Sequence, residues 1–218
     1  EKLEEKRFLD FSSILRIAVD TLENEPSVRK KLQEQYSFFT VDEYQDVNPI
    51  QEKLIQLISN KQNVCVVGDD DQSIYQWRGA DVQNIITFQR RYSKSAIHKL
   101  DINRRSSDGI VQTADELIQR NNPGRLDKSI QDKGLMSEKG DLYKILFGTK
   151  EEEIEWIANK VQSLVGKEYL EGDKPRKLKY SDFAFLFRSI GNEAGPYIEA
   201  LREANIPVIY AGTGGLFD

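Results

Sequence analysis

Phe38-Phe39-Thr40-Val41-Asp42-Glu43-Tyr44-Gln45-Asp46 is the stretch on which the fold of this chain turns. A short apolar run breaks directly into acids, which is how a buried parallel strand ends at a ligand crevice. The same break recurs at Val64-Cys65-Val66-Val67-Gly68-Asp69-Asp70-Asp71-Gln72. Asp42 and Glu43, adjacent carboxylates at a strand end, stand where a metal-bound phosphate would lie. Read alone, an Asp-Glu pair is more often just a strand end entering a solvated loop.

Outward from the first stretch, Asn48-Pro49 with Gln51 supplies an N-cap, a proline at the first helical position and a capping-box partner. Ile50, Leu54, Leu57 and Ile58 then form an apolar stripe, so a helix follows the first strand. After the second strand, Asp81 caps a helix carrying Val82, Ile85 and Ile86. Upstream, charge dominates residues 1–10, and Phe11, Ile14, Leu15, Ala18 and Leu22 fall at helical spacing; both segments read as helix. Downstream, the alternation continues. Ala96 to Leu100, Leu142 to Phe147, Phe183 to Phe187 and a short run at Val208 to Tyr210 read as strands.

Helices are expected from about Asp108, with Ile110, Val111, Ala114, Leu117 and Ile118 on one face, and after Thr149, whose capping-box partner is Glu152. The latter carries Ile154, Ile157, Val161 and Leu164, and a further helix holds Ile198 and Leu201. Asn121 to Gly140 and Gly166 to Lys179 read as polar or charged loops, and Gly212 to Gly215 as a turn. Strands alternating with helices imply right-handed crossovers and a mostly parallel sheet with helices on both faces, an α/β fold. Arg90 to Ser95 reads as a polar connector, which divides the chain into 1–95 and 96–218.

Composition narrows the classes. The 218 residues hold 36 acids and 31 bases, a net charge of −5, so any nucleic-acid contact must come from a local surface. One cysteine, Cys65, excludes an internal disulfide framework and is expected to be a small buried core residue. One histidine, His98, leaves neither a histidine metal cluster nor a Ser-His-Asp triad. No apolar run approaches the ~20 residues that span a bilayer, and no signal-peptide pattern opens the chain, so a cytoplasmic location without membrane contact is expected. Arg176-Lys177-Leu178-Lys179 reads as a solvated loop.

Hydrolysis of a nucleoside triphosphate needs a metal to neutralise phosphate charge, a group to orient or deprotonate water, and cations for the charge that develops. Asp42 suits Mg²⁺ and Glu43 the attacking water. In the second stretch Gln72 offers an amide able to bond phosphate and water, and Trp77-Arg78 follows five residues later. Tyr75 and Trp77 are of the type that packs in cores, yet an aromatic face can also stack on an unpaired base.

Val41-Asp42-Glu43-Tyr44-Gln45-Asp46 and Val67-Gly68-Asp69-Asp70-Asp71-Gln72-Ser73-Ile74-Tyr75-Gln76-Trp77-Arg78-Gly79-Ala80-Asp81 resemble the second and third motifs of the UvrD/Rep/PcrA group of superfamily 1 DNA helicases. Leu100-Asp101-Ile102-Asn103-Arg104-Arg105-Ser106 is similar to the fourth motif, and Phe8-Leu9-Asp10-Phe11 to a pattern preceding the second. Ile206-Pro207 through Gly214-Gly215-Leu216-Phe217-Asp218 resembles the run into that group's inserted subdomain. The likeness spans nearly the whole chain.

The resemblance implies parts of two RecA-like P-loop NTPase lobes: 1–95 the back half of the first, 96–218 the front half of the second. It implies ATP and Mg²⁺ as cofactors, and single-stranded DNA and duplex junctions as partners. It further implies Asp42 as the magnesium carboxylate, Glu43 as general base and Gln72 as γ-phosphate sensor. Tyr75 and Trp77 correspond to DNA contacts, Arg78 to the link between nucleotide and DNA sites, and Arg105 to the arginine reaching the γ-phosphate from the second lobe. Arg104 stands where the group usually has a tyrosine stacked on the nucleotide base; a guanidinium plane can stack there too.

No G-x-x-x-x-G-K-[ST] loop occurs in the chain, so by itself it lacks an amide cradle for phosphates and is expected to be inactive. Two other readings stay open: a degenerate, non-catalytic helicase-like interaction module, and part of a helicase-nuclease recombination subunit. With lobes divided, exposed sheet edges would invite dimerisation of such a piece.

Overall fold

A computed structural model describes residues 8–59, 63–128, 142–171 and 174–209. The described residues fall into two units. One comprises residues up to Asn103 together with Ile110–Gly134; the other comprises Arg104–Gly109 and the residues from Leu135 onward.

In the first unit, Asp10 caps helix α1 (Phe11–Asn24) by accepting from the Ser13 amide at 2.7 Å. Residues 8–10 lie ahead of that helix, and the expected helix over 1–7 falls outside the described residues. The inward stripe is Leu15, Ala18, Val19 and Leu22, whereas Phe11 and Ile14 are exposed. Pro26 opens a second helix, α2 (Pro26–Gln35), which the sequence reading did not separate from its neighbours. Strand β1 (Phe39–Val41) leads through a short 3₁₀ turn (Tyr44–Asp46) to helix α3 (Pro49–Ile58). The capping box expected at Asn48 and Gln51 is present, each partner at 2.9 Å. Helices α1 and α2 both pack on α3, and Lys53 pairs with Glu23 at 2.7 Å.

Strand β2 (Val64–Val66) lies parallel to β1, with Phe39 opposite Val64, Thr40 opposite Cys65 and Val41 opposite Val66. This parallel pair with a helical crossover is the βαβ arrangement that the apolar runs imply. Only one of its faces is half-buried. Thr40 and Cys65 point the other way and are exposed, so Cys65 is not the core residue expected. Short helices α4 (Gln83–Ile86) and α5 (Phe88–Arg91) follow, and Asp81 accepts from the Gln83 amide at 3.0 Å. Helix α6 (Asp108–Ile118) buries Val111, while Ile110, Ala114 and Leu117 are exposed.

In the second unit, the Thr149–Glu152 capping box opens helix α7 (Lys150–Leu164) as expected. Gly166–Lys179, read as a loop, instead forms an antiparallel hairpin of β3 (Glu168–Glu171) and β4 (Lys174–Lys177). Arg176 lies over the Tyr169 ring at 5.2 Å and grips Asp182 with both guanidinium ends, at 2.6 and 3.0 Å, so it is engaged within the protein. Helices α8 (Ile190–Glu193) and α9 (Gly195–Glu203) complete the unit. Its core is Ala158, Val161, Leu201 and Ile206, joined by Ile157, Val165 and Phe183.

Residues 96–100, 142–147 and 183–187, read as strands, run without strand pairing apart from a single bridge position at Ile102 nearby; the end of the run Val208 to Tyr210 and the turn at Gly212 to Gly215 lie outside the described residues. Among the described residues, parallel pairing is therefore confined to β1 and β2, and the mostly parallel sheets expected are represented by that pair.

Candidate nucleotide and nucleic-acid site

Parallel pairing continues past the strand ends. The Val67 amide donates to the Val41 carbonyl at 2.8 Å and the Tyr44 amide to the Val67 carbonyl at 3.0 Å. Asp42-Glu43 and Gly68-Asp69 are thereby held side by side. Asp42 and Glu43 are exposed, and Asp42 Oδ1 accepts from the Glu43 amide at 2.9 Å. Glu43 has φ 50° and ψ 43°, the left-handed region that a residue with a Cβ enters at a cost. Its carboxylate Oε2 accepts from Gln45 Nε2 at 2.8 Å.

Gln45 itself is buried, and its amide oxygen accepts from the Asp69 amide at 3.0 Å. One side chain thus ties the two acidic strand ends together. Gly68 is required by this closeness: a Cβ there would meet Gln45 Oε1 at 2.7 Å and the Tyr44 amide nitrogen at 3.1 Å. Gln72, exposed at the end of a 3₁₀ turn (Asp70–Gln72), donates to Asp69 Oδ2 at 2.8 Å. A chain of hydrogen bonds therefore runs from Glu43 through Gln45 and Asp69 to Gln72.

Behind the site, Tyr44 is fully buried and donates its hydroxyl to Glu52, which also accepts from Arg91 Nε at 3.1 Å. Burial, and then the Glu52 carboxylate, push the Tyr44 hydroxyl far above its ordinary pKa, so it stays a donor. Phe88 meets the Tyr44 ring edge-on at 5.5 Å and stacks on Tyr92 at 4.4 Å, while Asn84 Nδ2 reaches the Val47 carbonyl at 2.9 Å. These contacts fix the first acidic turn against α3, α4 and α5.

Tyr75 precedes a second 3₁₀ turn (Gln76–Arg78) and Trp77 is its middle residue, their rings 6.5 Å apart and tilted by 50°. The Arg78 guanidinium lies over both, at 5.3 Å from Tyr75 and 4.7 Å from Trp77. Trp77 is 74% exposed, so it is not a core aromatic; the cation braces it in place while leaving most of its surface to solvent. Gly79, at φ 89°, ends this turn in the left-handed region.

Asp42, Glu43, Gln72, Tyr75, Trp77 and Arg78 all belong to the first unit, whereas Arg104 and Arg105, both exposed, belong to the second. Asp42 suits Mg²⁺ by the hardness of its oxygens and its exposure at a strand end, since that ion keeps several waters and needs only one or two protein carboxylates beside a phosphate. Among the described residues, Asp69, Asp70 and Asp71 also bring carboxylate oxygens within 4.8 Å of one another. Their charge, however, is met from within: Lys128 pairs with all three and Arg125 with Asp71. Gln45, Arg125 and Lys128 had not been singled out from the sequence. Gln45 lies inside the decisive stretch, but no spacing marks its reach to Asp69. The two cations lie 54 to 59 residues from their partners, beyond any local pattern.

The UvrD/REP helicase N-terminal domain family matches residues 1–93 and the UvrD-like helicase C-terminal domain family matches residues 98–218, so the chain belongs to the UvrD-like helicases, whose domains imply a RecA-like α/β fold. It is similar to the proteins called ATP-dependent DNA helicase PcrA of Staphylococcus epidermidis (strain ATCC 12228) and of Staphylococcus aureus (strain Mu50), in each case 33% identical over all 218 residues. The chain spans 28% of the length of those relatives. Among the described residues, no helix is long and apolar enough to cross a membrane.

Proposed function

We propose that this chain is the middle portion of an ATP-dependent DNA helicase that couples ATP hydrolysis to movement along single-stranded DNA and to duplex unwinding. In this reading, residues 1–95 are the back half of the first RecA-like lobe and 96–218 the front half of the second. The observation that carries it is the hydrogen-bonded chain Glu43–Gln45–Asp69–Gln72, which ends three residues before the exposed Tyr75-Trp77-Arg78 cluster. A group at the phosphate and a stacking surface for bases share one short loop.

The roles follow from the chemistry of each group. Bound Mg²⁺ neutralises phosphate charge, and Asp42 is the carboxylate that would hold it. Glu43, exposed and oriented by Gln45, accepts the proton of the attacking water. Gln72 senses the γ-phosphate through its amide. Arg105 supplies positive charge to the γ-phosphate from the second lobe, and Arg104 stacks on the nucleotide base. Trp77 and Tyr75 stack on bases, and Arg78 connects this surface to the nucleotide. With no phosphate-binding loop of its own, the chain turns over ATP only as part of a longer protein.

Glu43→Gln in the full-length protein tests the reading. DNA-stimulated ATP turnover should be abolished while ATP binding, followed with a fluorescent nucleotide, is retained. Retained turnover in the variant would remove Glu43 from the chemistry.

A further inference from the structure

Arg125 and Lys128 come from the turn after α6 and meet the acids that precede Gln72. Arg125 presents its guanidinium fork to Asp71, with Nε 2.9 Å from Oδ1 and its second nitrogen on Oδ2. Lys128 Nζ pairs with Asp69, with Asp70 and, at 3.0 Å, with Asp71. The Leu126 amide donates to Asp70 Oδ2 at 2.8 Å. The side chains of Arg125 and Asp70 are only 6% and 2% exposed, so these are interior contacts and not loose surface pairs. Asp69 takes Lys128 on one oxygen and Gln72 on the other.

Resting on the reading of Gln72 as the phosphate-sensing amide, we propose that Arg125 and Lys128 are positioning residues for ATP hydrolysis: they lock the turn Asp70–Gln72 and thereby aim the Gln72 amide. A bidentate arginine pair fixes direction as well as distance, and a lysine shared among three carboxylates prevents their mutual repulsion from spreading the turn. Gln72 lies on the surface and owes its orientation to the Asp69 carboxylate. Whatever frees Lys128 frees that carboxylate, and the sensor with it.

The test uses the full-length protein with Arg125→Ala, Lys128→Ala, the conservative Lys128→Arg, and the charge exchange Asp71→Arg with Arg125→Asp. Amide hydrogen exchange across residues 69–73 reads the lock itself. It should quicken about tenfold or more in both alanine variants and return toward the parent rate in Lys128→Arg and in the exchange. Unchanged exchange in the alanine variants overturns the lock, whatever the enzyme does. ATPase kinetics read the positioning role: kcat with single-stranded DNA should fall about tenfold or more while KM for ATP moves less than about threefold. An unchanged kcat with quickened exchange overturns the positioning role and leaves a purely structural contact. Glu43→Gln run in parallel separates the two readings, because its failure to abolish turnover removes Glu43 from the proposed chemistry without touching the exchange result.

Discussion

At the level of single residues, the site works by giving exposed groups buried supports. Trp77 is the plainest case, a ring 74% exposed and braced by Arg78 at 4.7 Å, for which stacking on a base is proposed. Trp77→Ala in the full-length protein should weaken single-stranded DNA binding by about 1–3 kcal/mol with ATP binding intact, measured by fluorescence anisotropy on an oligonucleotide. An unchanged affinity would return Trp77 to the status of an incidental surface residue. The acids behind Gln72 give a pH expectation. Burial works to raise the Asp69 carboxyl, but hydrogen bonds from Lys128 and Gln72 outweigh it and hold it below its ordinary value. Its contribution is therefore complete above about pH 4 and is lost only as pH falls through the lower folded value. Lys128 is shifted upward, because its three carboxylate bonds outweigh burial, so its part is complete below about pH 10 and is lost as pH rises through the higher folded value. Exchange protection over residues 69–73, corrected for intrinsic rates, should thus be flat from about pH 5 to 9; a loss centred near neutrality would contradict these pairings. Asp42, Glu43, Gln72 and Trp77 are singled out by the sequence because each sits in a contiguous motif, and the structure leaves all four exposed. Gln45, Arg125 and Lys128 are not singled out, because their meaning is a contact across 24 to 59 residues that spacing does not encode.

Among the elements, the two whose starts carry a full capping box were read correctly, whereas the helix expected to be capped by Asp81 begins only at Gln83, with Val82 at the cap position. The capping boxes at Asn48 and Thr149 start α3 and α7 where expected, since the cap and its partner lie three residues apart. Apolar runs without such punctuation misled: residues 142–147 and 183–187 have the composition of strands but pair with no strand, because pairing depends on neighbours that composition cannot supply. Cys65 fails in the same way, since a strand buried on both faces needs cover on both, and here Thr40 and Cys65 face solvent. The hairpin β3–β4 was missed because five of its eight paired residues are charged, which hides its period. Stability of the acidic turn rests on Glu52, whose side chain is 7% exposed and serves both Tyr44 and Arg91. Glu52→Ala would leave a buried hydroxyl and a partly buried guanidinium without their acceptor, costing about 3–5 kcal/mol. Glu52→Gln keeps the shape and one acceptor and should cost less. Urea unfolding of the two variants decides, and equal losses would show that the hydrogen-bonded network is not what holds the turn.

For the whole molecule, the decisive feature is that the proposed chemistry is divided between two units. Asp42, Glu43 and Gln72 lie in one, and Arg104 and Arg105 in the other. On the roles proposed above, part of the charge that develops on the transferred phosphate would be met by Arg105. In that reading nucleotide affinity would rest on the metal and on base stacking, whereas Arg105 would act where charge develops, in the transition state. Arg105→Ala in the full-length protein should therefore lower DNA-stimulated kcat by on the order of 10³-fold while KM for ATP changes little. Arg105→Lys should recover only a small part of the loss, since an ammonium lacks the planar fork that spans two phosphate oxygens. Steady-state kinetics over a range of ATP at saturating single-stranded DNA separates the outcomes. A rise in KM with kcat unchanged would make Arg105 an ordinary binding residue and overturn its proposed part in the transition state.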